Sequence, residues 1–355
     1  MEYTRLGNSG LYVSRLALGT ITYGQGGGFE KIAGVDASEA RKQLDAAFDR
    51  GVNFIDTANI YSAGDAEKVL AKALGGRRDD VILTSKARSP VGDGPNDSGA
   101  SRYHLTRAVE DSLTRLGTDH LDLLYIHQWD GQTPVRETVE TANELIASGK
   151  IRYWGVSNYT GWQLTKTVYE AKALGLTPPV EQQVYYTPEA REIEYEILPA
   201  ARDLGVGTWG WSPLGEGLLN GKVRRGEETS SATRQGTGWP EPHVTDWDRA
   251  YRVIDVLDET ARELGWGLPQ VVISWLLGRP GVDGIAIAAR EFDHLIEDLD
   301  AADLSLPDDA RRRITEASQL PAYYPVWHRL LNGMDRPDPA DRPFFDEHRA
   351  SVLGE

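Results

Sequence analysis

Four side chains of the kind that move protons follow short apolar runs in the first part of this 355-residue chain. Asp56 closes the run Asn53-Phe54-Ile55, Tyr61 lies five positions further on, Lys86 follows Val81–Ser85, and His127 follows Leu121–Ile126. A carboxylate, a phenol, an ammonium and an imidazole together can hold, orient and pass a proton. Later runs lead into Ser157-Asn158, Gln182-Gln183, Trp211-Ser212 and Arg290, which add amide, hydroxyl and guanidinium hydrogen-bonding groups. Taken singly, each has a plainer reading: the aspartate as a helix cap, the lysine as half of a salt bridge, the histidine and tyrosine as packing residues. Their recurrence at successive run ends argues for one site. Other chemistries are excluded. The chain has no cysteine, so thiolate zinc sites and cysteine nucleophiles are absent. Its seven histidines show neither His-x-x-x-His nor His-Glu-x-x-His spacing, so no metal is expected.

The elements that must carry these residues alternate regularly. Leu16–Leu18, Asn53–Asp56, Val81–Ser85, Leu121–Ile126, Ile151–Val156, Val180–Val184, Val206–Trp211 and Gly284–Ala288 read as strands. Amphipathic stretches between them read as helices, many stopped by glycine, as at Gly75, Gly117, Gly149 and Gly175. Eight strands each followed by helix predict a (β/α)8 TIM barrel, in which catalytic groups stand at the C-terminal strand ends. The rival, an open doubly wound sheet, would carry Gly-x-Gly-x-x-Gly after its first strand; in Gly24-Gln25-Gly26-Gly27-Gly28-Phe29 the third glycine position is Phe29. Three segments stand outside the alternation: an N-terminal β-hairpin over 1–15, a long Gly/Ser/Thr/Pro-rich loop over 213–245, and a C-terminal tail over 320–355. The whole chain, 1–355, reads as a single barrel domain.

A formal net charge of -16 repels the phosphate backbone of nucleic acids and anionic membrane surfaces, so neither is an expected partner. The N-terminal residues lack the apolar core of a signal peptide and no run approaches a membrane span, which predicts a cytoplasmic location.

In order along the chain, Leu18-Gly19-Thr20, Asp56-Thr57-Ala58, Tyr61, Ser85-Lys86, His127, Gly155-Val156-Ser157-Asn158, Trp211-Ser212-Pro213-Leu214, Gly221-Lys222 and Ala289-Arg290 resemble the motif series of the aldo-keto reductase superfamily. The wording is nearest to its bacterial and channel-β-subunit-like branch. The likeness runs from about residue 3 to residue 318. It implies a catalytic tetrad of Asp56, Tyr61, Lys86 and His127. Tyr61 would be the general acid for carbonyl reduction, made acidic by the nearby Lys86 ammonium, with Asp56 holding Lys86 and His127 binding the carbonyl oxygen.

The resemblance also implies a nicotinamide cofactor, NADPH, lying across the barrel mouth. Ser157, Asn158 and Gln183 match the carboxamide contacts, and Trp211 the stacking aromatic. Gly19, Thr20, Ile21 and Asp56 lie beside them. Ser212, Pro213, Leu214, Gly217, Lys222 and Arg234 match the diphosphate loop. Arg290, with an Arg fork suited to phosphate, selects NADPH over NADH. Glu297 matches the family at the adenine end, whereas His294 and Asp298 replace the usual Gln and Asn. Ile21, Tyr23 and Trp129, with Tyr323, Tyr324 and Trp327 of the tail, are expected to wall a pocket for a small-molecule carbonyl substrate, an aldehyde, a ketone or a sugar-derived carbonyl. The alternative for the tail is packing on a neighbouring subunit of a homo-oligomer. Two other functions fit parts of the pattern: a cofactor-sensing regulatory subunit of the channel-β type, and a lyase or isomerase using Lys86 as a Schiff-base amine.

Overall fold

The computed structural model describes residues 1–226, 239–240 and 242–353. Ten strands form in chain order. β1 (Tyr3–Arg5) and β2 (Tyr12–Ser14) pair antiparallel as the expected hairpin. The other eight are β3 (Leu16–Gly19), β4 (Phe54–Asp56), β5 (Ile82–Ala87), β6 (Leu121–Ile126), β7 (Ile151–Ser157), β8 (Glu181–Tyr185), β9 (Gly207–Trp211) and β10 (Gly284–Ile287). These close in the order β10-β3-β4-β5-β6-β7-β8-β9, all neighbours parallel. The expected (β/α)8 barrel is therefore formed.

The two-residue period of a strand decides what the barrel interior holds. One set of positions, Leu16, Leu18, Ile55, Leu83, Leu124 and Ile126, packs outward in the large core shared with the helices. The alternate set, Ala17, Phe54, Leu123, Tyr125 and Trp209, fills the barrel, with Leu6 and Val13 of the hairpin segment closing its floor. Glycine makes room for this filling: a Cβ on Gly284 would lie 2.2 Å from the Trp209 ring. Continuing the inward series by one two-residue period brings Phe54 to Asp56, Tyr125 to His127, Glu181 to Gln183 and Trp209 to Trp211, and by two periods Ile82 to Lys86 and Tyr153 to Ser157. The C-terminal mouth is thus lined by the polar groups singled out in the sequence.

Helices cover the sheet. They include α1 (Ala37–Asp49), α2 (Asp65–Leu74), α3 (Arg102–Leu116), α4 (Val135–Ala147), α5 (Gly161–Leu174), α6 (Ile197–Leu204), α7 (Trp247–Leu264), α8 (Leu268–Leu277) and α9 (Phe292–Asp300). The C-terminal part adds three more: α10 (Asp308–Ala317), α11 (Val326–Asn332) and α12 (Arg342–Leu353). The tail does not reach the mouth. Glu347 of α12 accepts from Arg191 Nη2 at 2.6 Å and from Arg279 at 2.7 and 2.8 Å, and His348 stacks on Tyr195 at 5.9 Å. Two buried guanidiniums beside Glu194 require this extra carboxylate, so the tail docks on the outside of the barrel near α6. Among the described residues no helix is long and apolar enough to cross a membrane, and no group of His, Asp and Glu could hold a metal ion.

Candidate active site

Lys86 is the centre of the mouth. Its side chain is fully buried, and its Nζ donates to Asp56 Oδ2, to the Thr57 carbonyl at 3.0 Å and to the Tyr61 hydroxyl at 3.2 Å. Burial alone would lower its pKa, but Asp56 and Tyr61 outweigh it and the net shift is upward, so Lys86 stays charged. Asp56 is held from both sides. Its Oδ1 accepts from Thr84 Oγ1 at 3.0 Å and from Gln183 Nε2 at 3.1 Å.

His127 completes the group, its ring 6.1 Å from that of Tyr61. Burial, then the charges of Lys86 and Arg88, push the imidazole down to about 3. It is therefore neutral at physiological pH, able to give one N–H and accept at the other nitrogen. The folded value lies below the ordinary one near 6.5, so protonation disfavours the folded site only as pH falls from about 6.5 toward 3. Accordingly, if the site catalyses a reaction, kcat/KM is expected to show no inflection near pH 6.5 assignable to His127. An inflection there that disappears in His127→Gln would refute a neutral imidazole.

The turn that carries Tyr61 is strained and clamped. Ser62 and Ala63 adopt φ of 49° and 53°, in the left-handed region that side chains rarely occupy. Ser62 Oγ donates to the Tyr23 carbonyl at 2.8 Å, and the Gln25 amide donates to Asp65 Oδ2 at 3.1 Å. Gly27 sits so close that a Cβ would lie 2.7 Å from the Ala63 nitrogen. The glycine-rich loop after β3 thereby fixes the Tyr61 turn.

Asn158 links the next strands. At φ 60° it accepts from Trp211 Nε1 at 2.9 Å and donates to the His127 carbonyl at 3.1 Å. Ser212 Oγ donates to Glu216 Oε1 at 2.6 Å.

These residues open on a cavity of about 890 Å³ that runs from Asp56, Tyr61 and His127 to α9. Gly19, Thr20, Ile21, Ser157, Asn158, Gln183, Trp211, Ser212, Pro213, Leu214, Gly217, Lys222, Arg290, His294, Glu297 and Asp298 all line it. Lys86 lies beneath the lining and Arg234 lies outside the described residues.

Two expected pocket residues are not brought there. Tyr23 is fully buried, and it serves through its backbone carbonyl rather than its ring. Trp129 packs away from the cavity against Tyr159 at 5.2 Å and Trp162 at 5.5 Å, because the chain after His127 turns outward. Of the tail residues, Tyr323, Tyr324 and Trp327 are exposed and do not line the cavity. Their places near Tyr61 are taken by Phe29, whose ring meets that of Tyr61 at 5.9 Å, and by Trp239, 6.1 Å from Phe29. Lys31, Ser89 and Gln128 also line the cavity. The glycine run 24–28 ending in Phe29 was the available signal. Its spacing does not fit a dinucleotide turn, and nothing in it marks Phe29 as a neighbour of Tyr61.

The fold and site are those of a closed parallel barrel whose C-terminal mouth unites a buried ammonium, its carboxylate, a phenol and a neutral imidazole, groups able to hold and pass a proton. Comparison with known proteins narrows the class: residues 15–319 match the model of the aldo/keto reductase family, and the chain belongs to that family, an oxidoreductase family. It is 37% identical over 328 residues to the Bacillus subtilis protein described as an uncharacterised oxidoreductase, YrpG, spanning 89% of this chain and 95% of that one. It is 35% identical over 310 residues to proteins of Oryza sativa and Arabidopsis thaliana each described as a probable voltage-gated potassium channel subunit beta, spanning 86% of this chain and 92% of each of theirs.

Proposed function

We propose that the protein reduces aldehydes or ketones to alcohols with NADPH, with Tyr61 as the proton donor. The observation that carries this reading is the Lys86 ammonium, held by Asp56 and placed 3.2 Å from the Tyr61 hydroxyl at one end of the cavity. The residues present fit a phosphorylated dinucleotide. The cavity lies within the roughly 300–1,000 Å³ of ligand sites. Asn158 and Gln183 supply amides near Tyr61, Trp211 an aromatic ring, and Lys222 and Arg290 cations on an otherwise acidic molecule.

When bound, the nicotinamide supplies the hydride. The chain's own groups do the rest. The neutral His127 donates a hydrogen bond to the substrate oxygen and fixes its position. As negative charge develops on that oxygen, the Tyr61 hydroxyl gives up its proton. The Lys86 ammonium stabilises the resulting phenolate, and Asp56 keeps Lys86 in place. Phe29 and Trp239 add apolar surface beside Tyr61 at this end of the cavity. Lys86 is covered by the groups it bonds and does not line the cavity, which disfavours its use as a Schiff-base amine.

The test is loss of NADPH absorbance with a broad panel of aldehydes and ketones. Turnover supports the reading, and NADPH binding without turnover on any of them favours a second one. That second reading, a cofactor-sensing regulatory subunit, is favoured by the likeness to the two plant proteins named as channel subunits.

Arg290 is the proposed reader of the 2′-phosphate. Its side chain is 54% exposed and, among the described residues, engages only Glu291 at 3.4 Å, a surface pair that a phosphate displaces easily. Arg290→Ala is expected to weaken NADPH binding about tenfold or more, in line with a charge-assisted contact of ~1.5–3 kcal/mol, while leaving NADH binding unchanged. Equal losses for both dinucleotides, read by fluorescence titration, would remove Arg290 from this role.

A further inference from the structure

The tail carries an apolar face for which the barrel mouth has no use. Tyr323, Tyr324, Trp327 and Leu331 are 61%, 74%, 40% and 51% exposed, and none of them lines the cavity. They lie beyond residue 319, where the match to the family model ends, so the chemistry shared by the family does not account for them.

The short helix α11 has two apolar faces. Val326 and Leu330 are buried with Phe345 of α12, and Tyr195 and Met334 pack around them. Helical spacing places Tyr324, Trp327, His328 and Leu331 on another face, at i, i+3, i+4 and i+7. The rings of Tyr324, Trp327 and His328 form one cluster, with centroids 6.0, 6.2 and 5.5 Å apart. This face is held firmly on the barrel. The Tyr195 hydroxyl donates to the Pro321 carbonyl, and its ring meets that of Tyr323 at 5.7 Å. Gln319 Nε2 donates to the Glu347 carbonyl at 2.8 Å, and the Glu347 side chain is bound by Arg191 and Arg279. A face fixed in this way loses little further freedom when another surface covers it.

Charge and area point to what covers it. The chain has 54 acidic residues and a net charge of -16, so two copies repel one another unless they meet where carboxylates are absent. From Ala317 to Met334 there is no Asp or Glu. The cation at the rim, Arg329, is already paired with Asp341 and lies over the Phe345 ring at 4.4 Å. Tyr and Trp without Asp and Glu is the composition of an interface core. At about 150–250 Å² for each aromatic side chain, Tyr323, Tyr324 and Trp327 together expose roughly 350 Å². Leu331 and the exposed Pro321, Pro325 and His328 extend the face toward the ~800 Å² that each partner contributes to a standard interface.

We propose that this face of α11 is the contact between two copies of the chain, related by a two-fold axis that passes near Trp327 and His328. With the two helices antiparallel, Tyr324 of each copy covers the partner's Leu331, and the same patch serves both sides. The contact lies outside the cavity, so the inference stands independently of the cofactor and of the reaction.

The experiment measures the mass of the full chain by sedimentation and light scattering over a range of micromolar concentrations. The expected mass is that of two chains of 39.2 kDa each. Trp327→Glu places a carboxylate in the contact and is expected to raise the dimer dissociation constant at least about thirtyfold, as loss of a central aromatic does. Trp327 is exposed, so the variant should keep the circular dichroism of the natural protein. Tyr103→Glu, at a residue of α3 that is 61% exposed, should leave association unchanged. The chain has no cysteine, so His328→Cys introduces its only thiol; a short bismaleimide should then join the chains in pairs. A single-chain mass at every concentration would overturn the proposal and leave the face to a partner of another kind. A dimer that Trp327→Glu does not weaken would place the contact elsewhere and overturn it as well.

Discussion

Tyr61→Phe removes one oxygen and is expected to reduce carbonyl turnover by ~10²–10⁴-fold while leaving NADPH affinity within about twofold. The Tyr61 hydroxyl is the acidic group that Lys86 reaches at 3.2 Å on the cavity side, whereas the rest of the ring rests on Phe29. Phenylalanine keeps that packing and the strained turn behind it. The loss therefore belongs to proton donation, and it should appear in kcat more than in KM. A variant that keeps more than about a tenth of the activity would show that another group, with His127 the nearest, supplies the proton.

The second large effect concerns Lys86→Met. Lys86 and Asp56 form a pair with side-chain exposures of 0% and 6%, so deleting the ammonium leaves a buried carboxylate without its cation. Thr84 and Gln183 still donate to it, but neither brings charge. Breaking a buried pair in this way costs about 3–5 kcal/mol, and turnover should fall with it because the phenolate loses its stabilising charge. The double variant Asp56→Asn with Lys86→Met should recover a large part of the stability and none of the activity. Chemical denaturation separates the two readouts. A single-variant loss below about 1 kcal/mol would mean that the pair is solvated enough to be replaced by water.

These two expectations depend on residues that were legible in the sequence. The inward set of each strand is visible as alternation, and following it one or two periods further toward the C-terminal end gives Asp56, Lys86, His127, Ser157, Gln183 and Trp211. Parallel strands also leave no choice about which end is the mouth, since every strand runs the same way. What could not be read was the placement of groups on irregular backbone. Tyr23 and Phe29 lie six positions apart on the same loop, yet one is buried and the other meets Tyr61. Their difference is set by the left-handed glycines at 24 and 26–28, whose turns carry no periodicity. Trp129 shows the same limit. It follows His127 by two residues, but the strand has ended, so the inward alternation no longer applies.

The tail was unreadable for another reason. Its position is decided by Glu347 meeting Arg191 and Arg279, which are separated from it by 156 and 68 residues. Neither arginine announces in sequence that it is buried and needs a third carboxylate. Asp298 is the intermediate case. Its departure from the family's usual amide was visible in the sequence, but its burial, without a partner among the described residues, came only from the packing of α9.

The most direct test of the account is turnover of an aldehyde with NADPH deuterated at the transferred position, followed by mass analysis of the alcohol. The account predicts one deuterium on the former carbonyl carbon, in an amount equal to the NADPH consumed, with the hydroxyl proton drawn from solvent through Tyr61. Alcohol formed without that deuterium, or carbonyl conversion that proceeds in the absence of NADPH, would contradict it.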